Sequence, residues 1–164
     1  TMRKNIVAGN WKMNNDLAAS KKLANQVAKL VKKNKVKGTK VIIAPTFVNL
    51  ERVAKATKKS KVKVAAQNMH FAESGAFTGE ISPKMLKSIG VKTVILGHSE
   101  RREYFGEDDA LLAKKVDAAL ENKMDVIFCF GEVLEDRKSG KQEHLVESQI
   151  KNALFQILTC SEGT

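Results

Sequence analysis

The stretch VKTVILGHSERR (residues 91–102) joins an apolar strand directly to a helix, and its pattern decides how the rest of the chain is interpreted. A short run rich in Val, Ile and Leu is typical of a parallel strand covered on both faces. His98 follows this strand, so we expect its imidazole to face the cleft at the carboxyl end of the sheet. Ser99 is predicted to cap the helix, whose unpaired N–H groups disfavour positive charge on the neighbouring imidazole. A purely structural turn, in which His98 and Ser99 serve only as caps, is the alternative.

Similar apolar runs recur along the chain and are separated by segments with helical spacing. Right-handed crossovers turn such a repeat into a parallel α/β fold. The five predicted strands are Asn5–Ala8, Lys40–Ala44, Val62–Ala66, Val91–Leu96 and Asp125–Phe130.

The helical segments each place apolar residues on one face. Acidic residues at 107–109 are predicted to begin the fourth helix, where they complement its positive end. The faces comprise Leu23, Val27, Leu30 and Val31 in the first helix, Leu112, Val116 and Leu120 in the fourth, and Val146, Ile150, Leu154 and Ile157 in the last.

The length suits one domain over residues 1–164, and two parallel architectures are open. A doubly wound sheet usually carries G-x-G-x-x-G or another phosphate loop, and the sequence contains none. A (β/α)8 barrel needs no such loop, but it needs eight strands and about 250 residues. The polar turn predicted at residues 159–164 is of the kind that precedes another strand. We therefore expect the first five strand–helix units of a (β/α)8 barrel.

Charge raises nucleic acid as a partner, because the net charge is +11. However, only 5 of the 29 basic residues are Arg, and the 24 Lys are spread over several segments. Two lysine groups, at residues 32–37 and 58–63, lie where helices end, so we interpret them as solvated helix ends. The sequence therefore predicts no nucleic-acid partner.

The remaining composition predicts a cytoplasmic protein without a membrane segment or a metal. The apolar runs are too short to span a bilayer, and no signal-peptide pattern precedes the first strand. Cys129 and Cys160 are predicted to be reduced thiols, because they form neither a close metal-binding pair nor a disulfide framework. The three histidines lack the spacing of a helical metal site.

Polar residues that follow the first strand suggest where chemistry occurs. Asn10 and Lys12 lie in a loop at the end of that strand, and loops at the carboxyl ends of parallel strands face one side. We expect both residues to meet His98. An ammonium, an amide and an imidazole together suit an anionic substrate whose carbonyl oxygen becomes enolate-like. Acyl transfer by Ser99 is disfavoured, since no nucleophile–base pair can be identified.

The ordered motifs of nearly the whole chain resemble the triosephosphate isomerase family, whose fold is the TIM barrel. The segments that carry this resemblance are Ala8–Asn14 (Ala-Gly-Asn-Trp-Lys-Met-Asn), Ala44-Pro45, Ala66-Gln67-Asn68, Gly75–Glu80 (Gly-Ala-Phe-Thr-Gly-Glu), Ile81-Ser82, Leu96–Arg102 and Cys129-Phe130-Gly131-Glu132.

The resemblance implies a reaction and a role for each matching residue. The reaction is the interconversion of dihydroxyacetone phosphate and glyceraldehyde 3-phosphate through an enediolate, without metal or organic cofactor. Lys12 would hold substrate charge, Asn10 would contact substrate, and His98 would polarise the carbonyl and transfer protons. Glu100 and Cys129, together with Ser99, would support the site. For Glu100 and Cys129 the alternatives are a helix-start carboxylate and a buried small thiol.

The long segment Asn68–Glu80, which carries Met69 and Phe71, suggests an interface. In the family this loop inserts into a partner subunit, which implies a homodimer whose interface includes Phe77, Thr78 and Gly79. Thr78 would lie near the pocket that contains the partner's Lys12 and the partner's His98. A loop folded back on its own barrel is the alternative.

The sequence also departs from the family pattern. The family's catalytic glutamate follows a sixth strand, and the lid and the phosphate-binding glycine turns come later still; none has a counterpart before Thr164. Phe130 replaces a smaller aliphatic residue. We expect either a portion of a longer protein or a fragment that is inactive alone. A basic binding or assembly module and another sugar-phosphate enzyme remain as alternatives.

Overall fold

A computed structural model describes residues 3–160 of the chain, with side chains as far as Leu154. Strands and helices alternate through most of this range. In chain order the elements are β1 (Asn5–Asn10), α1 (Leu17–Lys33), β2 (Thr39–Ala44), α2 (Phe47–Thr57), β3 (Val62–Ala66), α3 (Pro83–Ser88), β4 (Thr93–Leu96), α4 (Ser99–Phe105), α5 (Asp109–Glu121), β5 (Asp125–Phe128), α6 (Leu134–Lys138) and α7 (Gln142–Cys160).

The strands are hydrogen-bonded in the order β1-β2-β3-β4-β5, and the registered pairs are parallel. The described chain divides into two compact units, residues 3–68 with 84–94 and residues 69–83 with 95–160. β1, β2, β3 and the start of β4 belong to the first unit, and the end of β4 and β5 belong to the second. The α/β prediction is confirmed, whereas a single domain over 1–164 stays a prediction.

Helices α1 and α2 pack against β2 and β3 in the first unit. Asp16 caps α1 by accepting a hydrogen bond from the Ala19 N–H at 2.8 Å, as short acidic side chains do at helix starts. The core of this unit is aliphatic, and Trp11 packs against it half-buried. Its buried members are Ala24, Val31, Ile43, Val53 and Val62.

Two predicted features of this unit are wrong. β1 is not covered on both faces, because Ile6 and Val7 are 54% and 61% exposed. Among the described strands β1 pairs with β2 alone, so one of its edges has no neighbour. Leu30 was predicted on the buried face of α1, yet it is 55% exposed while Ala24 and Ser20 are buried.

Strand ends also differ from the predicted ones, for local reasons. Val91 is not yet strand, because its N–H donates to the Leu86 carbonyl at 3.0 Å and closes the end of α3. β5 ends at Phe128, and Phe130 beyond it is 52% exposed. β1 extends two residues further than predicted, to Asn10, because it stays in register with β2 to the end.

In the second unit, α5 packs against α7 and β5. Leu112 and Val116 are fully buried as predicted, whereas Leu120 is 41% exposed. Asp108 caps α5 by accepting from the Leu111 N–H at 2.8 Å. α7 is interrupted by non-helical backbone at Leu154 and runs to Cys160. The predicted turn at 159–164 is therefore wrong at 159–160, and residues 161–164 lie outside the described chain, as do the side chains of Ile157 and Cys160.

None of the helices within residues 3–160 combines the length and the apolar character needed to cross a membrane.

Candidate functional site

The loop after β1 is held in a fixed backbone conformation. The Lys12 N–H donates to Oδ1 of Asn10 at 2.9 Å, and Lys12 has a left-handed backbone with φ of 52°. Gln67, directly after β3, donates from Nε2 to the Lys12 carbonyl at 3.0 Å and to the Ala44 carbonyl at 2.8 Å. The Trp11 N–H donates to the same Ala44 carbonyl at 3.0 Å. The ends of β1, β2 and β3 thus define where the backbone of Lys12 lies.

This geometry determines which groups the loop can offer to a ligand. Oδ1 of Asn10 already accepts a hydrogen bond from the backbone, so the side-chain NH₂ is the group of Asn10 that can donate to a ligand. Lys12 is exposed at the end of the loop. Gln67 was not predicted as a functional residue from its chemistry, although its place directly after a strand could have drawn attention to it.

His98, rather than Ser99, is the cap of α4. Its Nδ1 accepts from the Glu100 N–H at 3.2 Å, and Ser99 is the first helical residue. The prediction that Ser99 caps this helix is wrong because Gly97, with φ of 79°, turns the chain so that the imidazole nitrogen reaches the helix start. A nitrogen that accepts an N–H bond carries no proton, so the imidazole proton belongs on Nε2.

Glu100 also lies near the same imidazole nitrogen. Its Oε2 is 3.5 Å from Nδ1 of His98, a distance at which a carboxylate would favour a proton on that nitrogen. The shorter 3.2 Å bond from the backbone N–H requires an unprotonated Nδ1. We assign the ring proton to Nε2, because the backbone N–H can only donate and so needs the lone pair of Nδ1.

Arg102 holds the turn that carries His98. Its Nε donates to the Gly97 carbonyl at 2.9 Å and its Nη1 to Oδ1 of Asp109 at 2.7 Å, while Nη2 lies 3.5 Å from the Cys129 carbonyl. A Cβ on Gly97 would lie 2.6 Å from that carbonyl oxygen, closer than non-bonded atoms allow. The turn therefore requires glycine at 97, and one guanidinium links it to the end of β5.

Cys129 directly follows β5, and its carbonyl is the one that Arg102 approaches. Its N–H donates to the Leu96 carbonyl at 2.8 Å, which pairs the ends of β4 and β5. The thiol is half-buried and forms no disulfide within the described part of the chain, and its reduced state stays a prediction. Burial raises the pKa of the Cys129 thiol, and the positive charge of Arg102 partly opposes that rise.

A cavity of about 630 Å³ opens beside His98 in the second unit. Cys129 and Ser99 also line it, and the buried Gln149 side chain closes one wall by exchanging hydrogen bonds with the Gly131 backbone at 2.9 and 3.1 Å. The structure thus brings three predicted residues of this unit to one cavity. Arg102 and Gln149 were missed, because sequence spacing does not reveal long-range bonds to backbone.

The loop predicted as an interface is partly ordered by its own rings. His70 stacks on Phe71 and lies tilted against Phe77, with ring centroids 4.3 and 4.2 Å apart. Met69, expected to be exposed, is fully buried. The tip is exposed throughout residues 73–80, including Thr78 and Gly79, and Phe77 is 45% exposed.

Comparison with known proteins identifies the family. The family model described as triosephosphate isomerase matches residues 5–161. The chain is 56% identical over 157 residues to a protein of Flavobacterium johnsoniae named triosephosphate isomerase, with 95% of this chain and 62% of the relative covered. Proteins of the same name from Flavobacterium psychrophilum (95% and 62% covered) and Clostridium acetobutylicum (92% and 59%) are 53% and 54% identical.

The chain belongs to the triosephosphate isomerase family. Its five strand–helix units are accordingly part of that family's (β/α)8 barrel, which confirms the predicted fold class. The chain spans about three fifths of the length of these relatives, 62%, 62% and 59%. Within residues 3–160 no cluster of three or more His, Cys, Asp or Glu side chains could hold a metal.

Proposed function

We propose that the protein containing this chain is a triosephosphate isomerase, which interconverts dihydroxyacetone phosphate and glyceraldehyde 3-phosphate by proton transfer through an enediolate. The proposal rests chiefly on the family match over residues 5–161. Relatives with that name include proteins that are 56% and 51% identical to this chain. As a glycolytic enzyme, it would act in the cytoplasm.

In this proposal His98 is the electrophile. With its proton on Nε2, the neutral ring can donate a hydrogen bond to the substrate carbonyl and to the oxygen of the enediolate. Triosephosphate isomerases are a known example of a histidine kept neutral by a helix N-terminus. The bond from the Glu100 N–H to Nδ1 supports the same assignment here. Ser99, Glu100 and Cys129 are assigned a supporting role around the imidazole.

Lys12 and Asn10 are assigned to the substrate. An ammonium at Lys12 would neutralise the phosphate and the negative charge that develops on the enediolate, and the Asn10 amide would donate to a substrate oxygen. Gln67 supports this proposal indirectly, because its bond to the Lys12 carbonyl limits the movement of the loop. A lysine held in this way loses less conformational entropy on binding substrate.

The base of the reaction is expected outside the five strands of this chain, on the glutamate that follows the family's sixth strand. A missing general base typically costs about 10²–10⁴-fold in rate. We therefore expect the 164-residue chain to show no measurable isomerase activity alone. Activity is expected of a protein that contains this chain together with a sixth strand ending in glutamate.

An assay of triose interconversion in that longer protein tests the proposal. We expect His98→Gln to lower kcat by about 10²–10⁴-fold, and Lys12→Met to abolish most activity by removing the cation that binds the phosphate. Lys22→Met is the matched control, because it removes the same charge from an exposed position on α1. An inactive longer protein, or full activity in His98→Gln, would disprove the proposal.

We further propose a homodimer in which the segment Asn68–Glu80 inserts into a partner subunit. The exposed tip with Phe77, Thr78 and Gly79 supports this, since a long ordered loop that exposes its tip to solvent leaves these side chains accessible to a partner. Sedimentation of the longer protein tests it. Thr78→Arg should yield monomers, while Glu121→Arg, at the exposed end of α5 and outside this segment, serves as control. An unchanged dimer in Thr78→Arg would contradict this arrangement.

A further inference from the structure

The ends of helices α1 and α2 enclose a cavity of about 740 Å³ in the first unit that the proposed isomerase site does not use. Six lysines surround it, and its lining contains neither a carboxylate nor an aromatic ring among the described residues. Its volume lies within the range of about 300–1,000 Å³ that is common for small-molecule sites. The six lysines are Lys29, Lys32, Lys35, Lys37, Lys59 and Lys61.

This lysine cavity lies at the amino-terminal ends of the strands. Lys37 comes just before β2, and Lys61 comes just before β3. Asn10 and Gln67 lie at or beyond the carboxyl ends of β1 and β3, at the other end of the same strands. A ligand in the lysine cavity would therefore not compete for the groups assigned to the isomerase.

The floor of the lysine cavity is aliphatic. It consists of Ala28, Val31, Val36 and Ala56, which belong to the core cluster of the unit or pack against it. The Val36 N–H donates to the Val31 carbonyl at 3.3 Å, which holds the two valines together where α1 ends. Burying such a surface under an alkyl chain is favourable, because it removes apolar area from water.

The charge around this floor is unbalanced. None of the six lysines has a salt bridge within the described part of the chain. The carboxyl ends of α1 and α2 contribute roughly half a negative charge each, which is small beside six ammonium groups. Lys35 has left-handed backbone, with φ of 48°, at the turn that leads from α1 towards β2, and its side chain is exposed. The rim of the cavity thus favours an anion.

We propose that the lysine cavity binds a single-chain anionic amphiphile, with its alkyl chain on the aliphatic floor and its acidic headgroup among the lysines. A nucleotide fits less well, because the described lining offers no ring for stacking and only Ser60 as a polar, uncharged side chain. An inorganic polyanion would leave the floor unburied. This site is independent of the isomerase proposal.

Calorimetric titration with dodecanoate, below the concentration at which it forms micelles, tests the site. We expect Lys32→Ala/Lys59→Ala to weaken binding by about tenfold or more, because two charges beside the headgroup are lost. The matched control is Lys33→Ala/Lys58→Ala. It removes the same charge from neighbouring exposed residues that do not line the cavity, so its affinity should stay within about twofold of wild type.

Three further ligands separate the contributions of chain and headgroup. Affinity should rise up to about fourfold per methylene from octanoate to dodecanoate. Triphosphate and dodecyl maltoside should both bind at least about tenfold more weakly than dodecanoate. The proposal is overturned if dodecanoate does not bind, if both double variants lose affinity equally, or if triphosphate binds as tightly as dodecanoate. The last result would indicate an anion site without an apolar component.

Discussion

The Lys115 ammonium donates to Oε1 of Glu107 at 2.6 Å, and both side chains are buried, with 4% and 3% of their surface exposed. Arg101 donates to the same oxygen at 2.7 Å. Oε2 of Glu107 is buried without a hydrogen-bond partner among the described residues. Two cations therefore converge on one oxygen of one buried carboxylate. Burying a carboxylate in this way has a large desolvation cost, and both cations are needed to offset it.

Removing one partner of this cluster should be strongly destabilising. We expect Lys115→Met to lower the free energy of unfolding by about 3–5 kcal/mol, because it leaves a buried carboxylate with Arg101 alone. Urea denaturation measures the change.

The matched control is Lys138→Ala, which breaks the exposed pair with Glu135 and should cost less than about 1 kcal/mol. In contrast to the single change, Glu107→Leu with Lys115→Met should recover most of the loss, since an apolar pair carries no desolvation cost. Equal losses in the single and double variants would contradict this account.

Acid should destabilise the protein partly through the same carboxylate. Burial opposes ionisation of Glu107, but the hydrogen bonds from Lys115 and Arg101 outweigh it and hold the pKa of its carboxyl below the usual value. The unfolded state then binds more protons than the folded state at acidic pH. The contribution of ionised Glu107 to the free energy of unfolding is therefore present above about pH 4.5, and it is lost as the pH falls through the lower pKa of the folded state.

Denaturation midpoints between pH 3 and 7 test this direction. Glu107→Gln should show a flatter loss of stability on acidification than wild type. The pKa of Glu51 is also lowered, by its hydrogen bond with Lys55. That pair is exposed to solvent, so Glu51→Gln should change the pH profile much less. A wild-type slope in Glu107→Gln would be inconsistent with the assignment.

Glu107 also shows what sequence patterns could and could not predict. Its acidic neighbour Asp108 caps α5 as the spacing predicts. The same pattern placed Glu107 at the start of that helix, yet the side chain is buried, because Arg101 reaches it across the turn at Gly106 and Lys115 reaches it from α5. Periodicity predicts where helices and strands lie; it does not reveal which charged side chains meet after the chain folds back.

The candidate site around His98 was likewise predictable from the sequence only in part. The strand before His98 was predictable from its apolar run, and the histidine's place after the strand followed from topology. The cap on α4 was assigned to Ser99, because cap preferences favour serine and do not anticipate an imidazole. The Arg102 link could not be predicted, since its contacts with backbone carbonyls depend on the turn at Gly97.

Glycine at position 97 should be indispensable for two separable reasons. Its backbone is left-handed, and an added Cβ would lie 2.6 Å from the Cys129 carbonyl oxygen. Gly106 has a similar φ of 63° but open space around it. We expect Gly106→Ala to lower the free energy of unfolding by about 1–2 kcal/mol, for backbone strain alone. Gly97→Ala should lower it by at least about 2 kcal/mol more, because the clash forces the backbone to move. Thermal or urea unfolding of both variants compares them directly, and equal losses would show that the clash is relieved without cost.

Arg102 should control the reactivity of Cys129. Burial raises the pKa of this thiol, and the Arg102 charge restrains the rise; the reactive species is the thiolate. In a Cys160→Ser background, the pH at which alkylation reaches half its maximal rate reports that pKa. Arg102→Met should move this midpoint upwards and slow alkylation at pH 7.5 by about threefold or more. Arg102→Lys keeps the charge and should shift the midpoint less.

The midpoint, rather than the rate alone, distinguishes a change of the thiol pKa from a change of reagent access, because a looser cleft would raise the alkylation rate at every pH. A midpoint that stays constant or falls in Arg102→Met would mean that the guanidinium acts on the Gly97 turn only as a structural link.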